Sequence, residues 1–213
     1  MLTTFIYSLL ALDKTLAALA LQYGPWLYGL LFVVIFAETG LVVFPFLPGD
    51  SLLFISGTVV ATAGLNVHAL VGLLVVAAVL GDTVNYSIGR YIGPKVFDKP
   101  DSRWFRQEHL RRTQAFYDKY GGVTIIIGRF VPIVRTFAPF LAGVAGMTYR
   151  KFLIFNLIGG VLWISSLVYA GYVFGNIPWV KNNLSLIVVG IVAVSLIPVA
   201  STWWREHRAA RGR

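Results

Sequence analysis

Apolar residues run through this chain in long blocks, and polar residues break those blocks at few places. Residues 1–22 read as a weakly amphipathic helix. Leu2, Phe5, Leu9, Leu12, Leu16 and Leu19 recur at helical spacing on one face, and Lys14 lies roughly opposite it. Leu10 and Leu21 share the polar side, so the segment either lies in a membrane interface or spans one. The interface is favoured, because a span buries Asp13 and Lys14 at a few kcal/mol each. Tyr23, Pro25, Trp26 and Tyr28 follow as an interfacial turn with aromatic anchors.

Residues 27–63 are apolar but interrupted at Pro45-Phe46-Leu47-Pro48-Gly49-Asp50. Two prolines and a glycine do not continue a helix easily, and each flank falls short of the about 20 residues a full span needs. One span plus a stub is an alternative, but a re-entrant helical hairpin fits better. Residues 67–89 form a full span ending at Arg90. Residues 90–119 are polar, and residues 121–147 are again apolar with Arg129, Pro132, Arg135 and Pro139 in the middle. That is a second candidate hairpin. Residues 152–175 and 183–204 are two further spans, and the tail at 205–213 is basic. The pattern predicts an all-α polytopic membrane protein. It has two opposed re-entrant hairpins, an N-terminal amphipathic helix and about three full transmembrane helices. Residues 23–204 read as a single membrane domain.

Composition agrees. Of 213 residues 57% are apolar and 13% charged, against about a quarter charged in a soluble domain. A disordered chain and an ordinary soluble globule are both excluded. The net charge of +9 does not point to nucleic acid, because 14 of the 18 Lys/Arg lie in the 90–119 loop, the Arg150-Lys151 pair and the tail. The positive-inside rule puts those three segments, and the C-terminus, in the cytoplasm. With that orientation the first hairpin enters from outside and the second from inside, as an inverted repeat would give. There is no Cys, and no His spacing suits a metal, so no metal and no cofactor is expected.

Five charges fall within apolar blocks: Glu38, Asp50, Asp82, Arg129 and Arg135. Glu38 and Asp50 flank the first break, and the two arginines flank Pro132 in the second. An ionisable group at membrane depth is costly and is a functional candidate by default. Arginines and broken helix ends suit phosphate oxygens, and carboxylates in a poorly hydrated site can carry protons. Structural ion pairing is the competing reading. For Asp82 a hydrogen bond to a neighbouring helix is as good a reading as function.

The stretch Glu38-Thr-Gly-Leu-Val-Val-Phe-Pro45-Phe-Leu-Pro48-Gly49-Asp50 resembles the first motif of the DedA family of bacterial membrane proteins, within the SNARE-associated/VTT-domain superfamily. Gly128-Arg129-Phe-Val-Pro132-Ile-Val-Arg135-Thr-Phe-Ala-Pro139, followed by Gly143 and Gly146, resembles the second. Gly81-Asp82-Thr83-Val84-Asn85-Tyr86, then Gly89-Arg90 and Gly93, resembles the segment between them. The resemblance implies a bacterial inner-membrane protein that depends on the proton-motive force and supports envelope integrity. Some members are implicated in returning undecaprenyl phosphate across the membrane. By the matching motif positions Glu38, Asp50, Asp82, Arg129 and Arg135 carry over as functional acids and arginines. The expected roles are proton coupling for the three acids, with Glu38 and Asp50 alternately pairing with and releasing the arginines, and lipid-phosphate binding for Arg129 and Arg135. Pro45, Pro48, Gly49 and Pro132 mark the hairpin breaks.

The expected function is therefore translocation of a polyprenyl phosphate with protons as co-substrate, rather than catalysis. A proton-coupled small-ion or drug antiporter is the first alternative. A membrane-embedded lipid phosphatase is the second, with Ser51 the nearest hydroxyl, although Ser51 suits a helix cap better. The expected partners are membrane lipids and protons, without nucleic acid. The sequence leaves a homo-oligomer open.

Overall fold

The computed structural model describes residues 26–41, 49–97 and 120–175, with isolated positions at 24, 115, 117, 177 and 190. The readings of residues 1–22, of the span at 183–204, of the tail, and of Pro45 and Pro48 lie outside the described residues. The described residues form six helices and no strand: α1 (Trp26–Gly40), α2 (Gly49–Thr62), α3 (Val67–Phe97), α4 (Val123–Gly128), α5 (Pro132–Val144) and α6 (Tyr149–Phe174).

Two of them have the length and apolarity to cross a bilayer: Val67–Gly93 within α3, 27 residues, and α6, 26 residues. At 1.5 Å per residue each is about 40 Å long, against a hydrocarbon core of about 30 Å. The outward faces are apolar, unlike those of a water-soluble protein, while several charged and amide side chains lie inside. Val76, Leu80, Val84 and Ile88 of α3 and Ile154, Leu157, Ile158, Val161 and Leu162 of α6 face outward. Glu38, Asp82, Asn85, Arg129, Arg135 and Asn156 are buried. Hydrocarbon as the surrounding solvent accounts for this arrangement.

Helix ends differ from the sequence reading in two places. α3 does not stop at Arg90 but runs to Phe97. Arg90 donates back to the Tyr86 hydroxyl at 3.1 Å, so the arginine is accommodated on the helix and does not end it. α6 begins at Tyr149 rather than 152, because the Arg150-Lys151 pair is helical as well as charged. Polarity marks where a helix leaves the apolar layer, not where its hydrogen bonds stop.

The breaks have local causes. Pro132 is the first residue of α5 and keeps Val131 out of the helical region, at φ −119° and ψ 110°. Arg129 and Phe130 therefore occupy a turn between α4 and α5. Gly146, at φ +73°, closes α5 in the left-handed conformation, and Met147 N–H returns to Ala142 O at 3.0 Å. Gly49 is the first residue of α2, with Asp50 in the first turn, where a carboxylate complements the helix dipole.

The chain divides into two compact units. The first contains α2 and the part of α6 from Ser166 onward. There Thr58 donates to Gly171 O at 3.0 Å, and a Cβ on Gly171 would fall 1.9 Å from Phe54 O, so the two backbones touch. The second contains most of α1, α3 from His68, α4, α5 and α6 up to Ser165. It is also built on glycine contacts. A Cβ on Gly89 would lie 2.1 Å from Phe140 O, one on Gly143 2.1 Å from Tyr86 O, and one on Gly81 2.8 Å from Phe36 O. Small residues let α3 approach α1 and α5 at backbone distance, the usual means of packing helices in lipid. The arms of the first predicted hairpin, α1 and α2, fall in different units; those of the second, α4 and α5, share one.

Candidate functional site

The candidate site lies in the second unit, where α3 carries Asp82 and Asn85 one turn apart on its buried face. Asn85 Nδ2 donates to Thr136 O of α5 at 2.8 Å and to Thr39 O of α1 at 3.3 Å. Thr39 lies in the last turn of α1, whose carbonyls have no partner within the helix, so Asn85 caps one of them while tying three helices together.

Two buried ion pairs stand on this frame. Arg129, from the turn after α4, pairs with Asp82 through Nη2 and Oδ2. The same nitrogen donates to the Oδ1 of Asn156 on α6. Arg135, in the first turn of α5, pairs with Glu38 of α1 through Nη2 and Oε1. The Trp163 ring of α6 serves both cations. Its centroid lies 4.7 Å from Arg135 Cζ and 5.8 Å from Arg129 Cζ, within cation–π range. Arg129 is 2% exposed, yet its Nε and Nη1 have no acceptor among the described residues. The Oδ1 of Asp82 is likewise without a donor among them.

Four of the five singled-out charges thus form one cluster, and the pairing is specific. The acid facing Arg129 is Asp82. Asp50 lies in the first unit, half-buried at the start of α2, beside a buried Ser51 hydroxyl without a partner among the described residues. Pro132 heads α5 three residues before Arg135.

Two tyrosines form a second buried polar group. Tyr86 donates to Met147 O, and Tyr117 donates to Ala138 O at 2.7 Å. Burial pushes the Tyr117 phenol upward in pKa, so it stays a donor into more alkaline solution than a free phenol does. No group of three or more potential metal ligands occurs among the described residues.

A sequence profile described as the VTT domain matches residues 47–173. The chain belongs to the DedA family. It is 53% identical over 204 residues to Protein DedA of Escherichia coli, covering 95% of this chain and 93% of that one. An uncharacterized membrane protein of Mycobacterium leprae is 45% identical over 177 residues, covering 83% and 79% of the two chains. Inner membrane protein YghB of Escherichia coli is 32% identical over 176 residues, covering 81% and 78%. No solved structure matches.

Within this DedA-family chain, the sequence reading missed Asn156 and Trp163. Both sit in an apolar run that reads as lipid-facing span. The available signal was the spacing of Asn156, Gly159, Gly160 and Trp163, which puts four atypical residues on one helix face.

Proposed function

We propose that this chain is a proton-coupled transporter of the bacterial inner membrane that moves a polyprenyl phosphate, such as undecaprenyl phosphate, between leaflets. It is not an enzyme on this reading. The observation that carries it is the Arg129 guanidinium, buried to 2% exposure with Nε and Nη1 lacking acceptors among the described residues. A buried donor without an acceptor costs about 1–3 kcal/mol, more for a charged group, and a phosphate oxygen relieves that cost.

Charge balance supports proton coupling. The cluster holds two arginines and two carboxylates. An added phosphate leaves it negative unless a carboxylate takes up a proton, and a net buried charge is strongly disfavoured. Asp82 and Glu38 are the acids that exchange the proton at this cluster; Asp50, in the first unit, keeps the proton-coupling role only by the family resemblance. The membrane potential contributes about 2.3 kcal/mol per charge per 100 mV. The inner-membrane location follows the printed name of the relative YghB, and the cytoplasmic C-terminus follows the positive-inside rule. The two broken segments are taken as re-entrant hairpins of opposite orientation, as the charge map suggests.

The test is flux of labelled undecaprenyl phosphate in proteoliposomes. Arg129→Ala and Arg135→Ala abolish it on this reading, and normal flux in both refutes it. Release of inorganic phosphate by the wild-type chain would instead identify a phosphatase, and proton flux without added lipid an antiporter.

A further inference from the structure

Asn156, Gly159, Gly160 and Trp163 share one buried face of α6, at positions i, i+3, i+4 and i+7. This face meets Arg129 at three levels. Asn156 offers Oδ1 to Nη2, and its Nδ2 donates to Val79 O of α3 at 3.2 Å. That second bond fixes which end of the amide faces the arginine. Gly159 leaves room for the stem, since a Cβ there would stand 3.0 Å from Arg129 Cδ and 3.2 Å from Nε. Trp163, 1% exposed, then presents its ring to both guanidinium groups. Two cations held this near one another repel, and an aromatic face against both offsets part of that repulsion.

We propose that Asn156 and Trp163 are positioning residues that hold Arg129 and Arg135 as one unit. Trp163 is the shared seat of the two guanidinium groups. Asn156 is the neutral anchor that keeps Arg129 in place when Asp82 takes up a proton and its charge is withdrawn. Three groups carry charge around Arg129 and its seat: Asp82 on α3, Glu38 on α1 and Arg135 on α5. Asn156 adds no charge of its own, and a second carboxylate at that position would compete with an incoming anion for Arg129. The ligand in this picture, a lipid phosphate, rests on the function proposed above; the positioning itself does not.

The test has two arms on the full-length chain in detergent micelles. In the first, the Nε–H signals of Arg129 and Arg135 are recorded by ¹⁵N–¹H NMR and assigned by single Arg→Lys substitutions. The Trp163 ring current shifts both protons upfield in the wild type. Trp163→Leu returns both toward free-arginine positions, Trp163→Phe retains most of the shift, and Asn156→Ala moves the Arg129 signal alone. A Trp163→Leu variant that leaves either signal in place overturns the proposal, as does an Asn156→Ala variant that leaves Arg129 in place.

In the second arm, geranylgeranyl monophosphate is titrated calorimetrically. Trp163→Leu and Asn156→Asp weaken its binding at least tenfold, while Trp163→Phe stays within about threefold. Wild-type strength in Asn156→Asp contradicts the neutral-anchor role. If the wild type itself does not bind the lipid phosphate while the first arm behaves as stated, the lipid reading fails and the positioning role stands.

Discussion

Replacing Arg129 and Asp82 by Leu, singly and together, separates a structural lock from a working site. Both side chains are buried, at 2% and 1% exposure. Removing one partner of a buried pair leaves a charge with no counter-charge in direct contact, at about 3–5 kcal/mol. Arg129→Leu belongs at the upper end, because Asp82 then loses the donor to Oδ2 while Oδ1 has none among the described residues. Asp82→Leu belongs at the lower end, because Asn156 and Trp163 still hold Arg129. The double variant carries no orphaned charge. It is expected within about 2 kcal/mol of wild type, the remainder being imperfect refilling of the space. The coupling energy is therefore about 4 kcal/mol or more. Reversible unfolding in bicelles measures all four corners of the cycle. Single variants that each lose under about 1 kcal/mol, or losses that simply add, refute the claim that this pair is buried and direct.

Three further outcomes test the surrounding frame. Asn85→Ala leaves the Thr39 and Thr136 carbonyls without its amide and lowers stability by about 1–3 kcal/mol in the same unfolding assay. Gly89→Val drives a side chain into Phe140 O, 2.1 Å from where its Cβ would sit, and separates α3 from α5; a loss of at least about 3 kcal/mol is expected, with a lower thermal midpoint as the readout. Tyr117→Phe removes the donor to Ala138 O and costs about 1–2 kcal/mol, and an unchanged unfolding midpoint contradicts that bond.

Much of the fold is legible because lipid imposes simple rules. Long apolar runs identify α3 and α6, and Pro132 starts α5 where a proline without an N–H is tolerated. The helix ends were less legible, since Arg90 and Arg150 mark an interface while the backbone continues through them.

The site was legible in membership more than in pairing. Glu38, Asp82, Arg129 and Arg135 stand out as charges in apolar blocks. Which acid meets which arginine depends on how helices cross, and that is set by glycine contacts such as Gly81 against α1 and Gly89 against α5. Asn156 and Trp163 escaped notice because an uncharged amide and an aromatic ring raise no alarm in a hydrophobic span. Their role becomes visible only once Arg129 is placed beside them.

The most direct test of the proposed mechanism is transport by the Asp82→Leu/Arg129→Leu variant, which lacks this ion pair but keeps the Arg135–Glu38 pair and is expected to fold. Proteoliposomes carrying labelled undecaprenyl phosphate, with an imposed inward proton gradient, report flux as label reaching the opposite leaflet. The wild type is expected to move the lipid faster with the gradient than without it. The double variant is expected to show no flux above protein-free vesicles while staying within about 2 kcal/mol of wild-type stability. Wild-type flux in that variant would make the pair a structural lock and contradict the account.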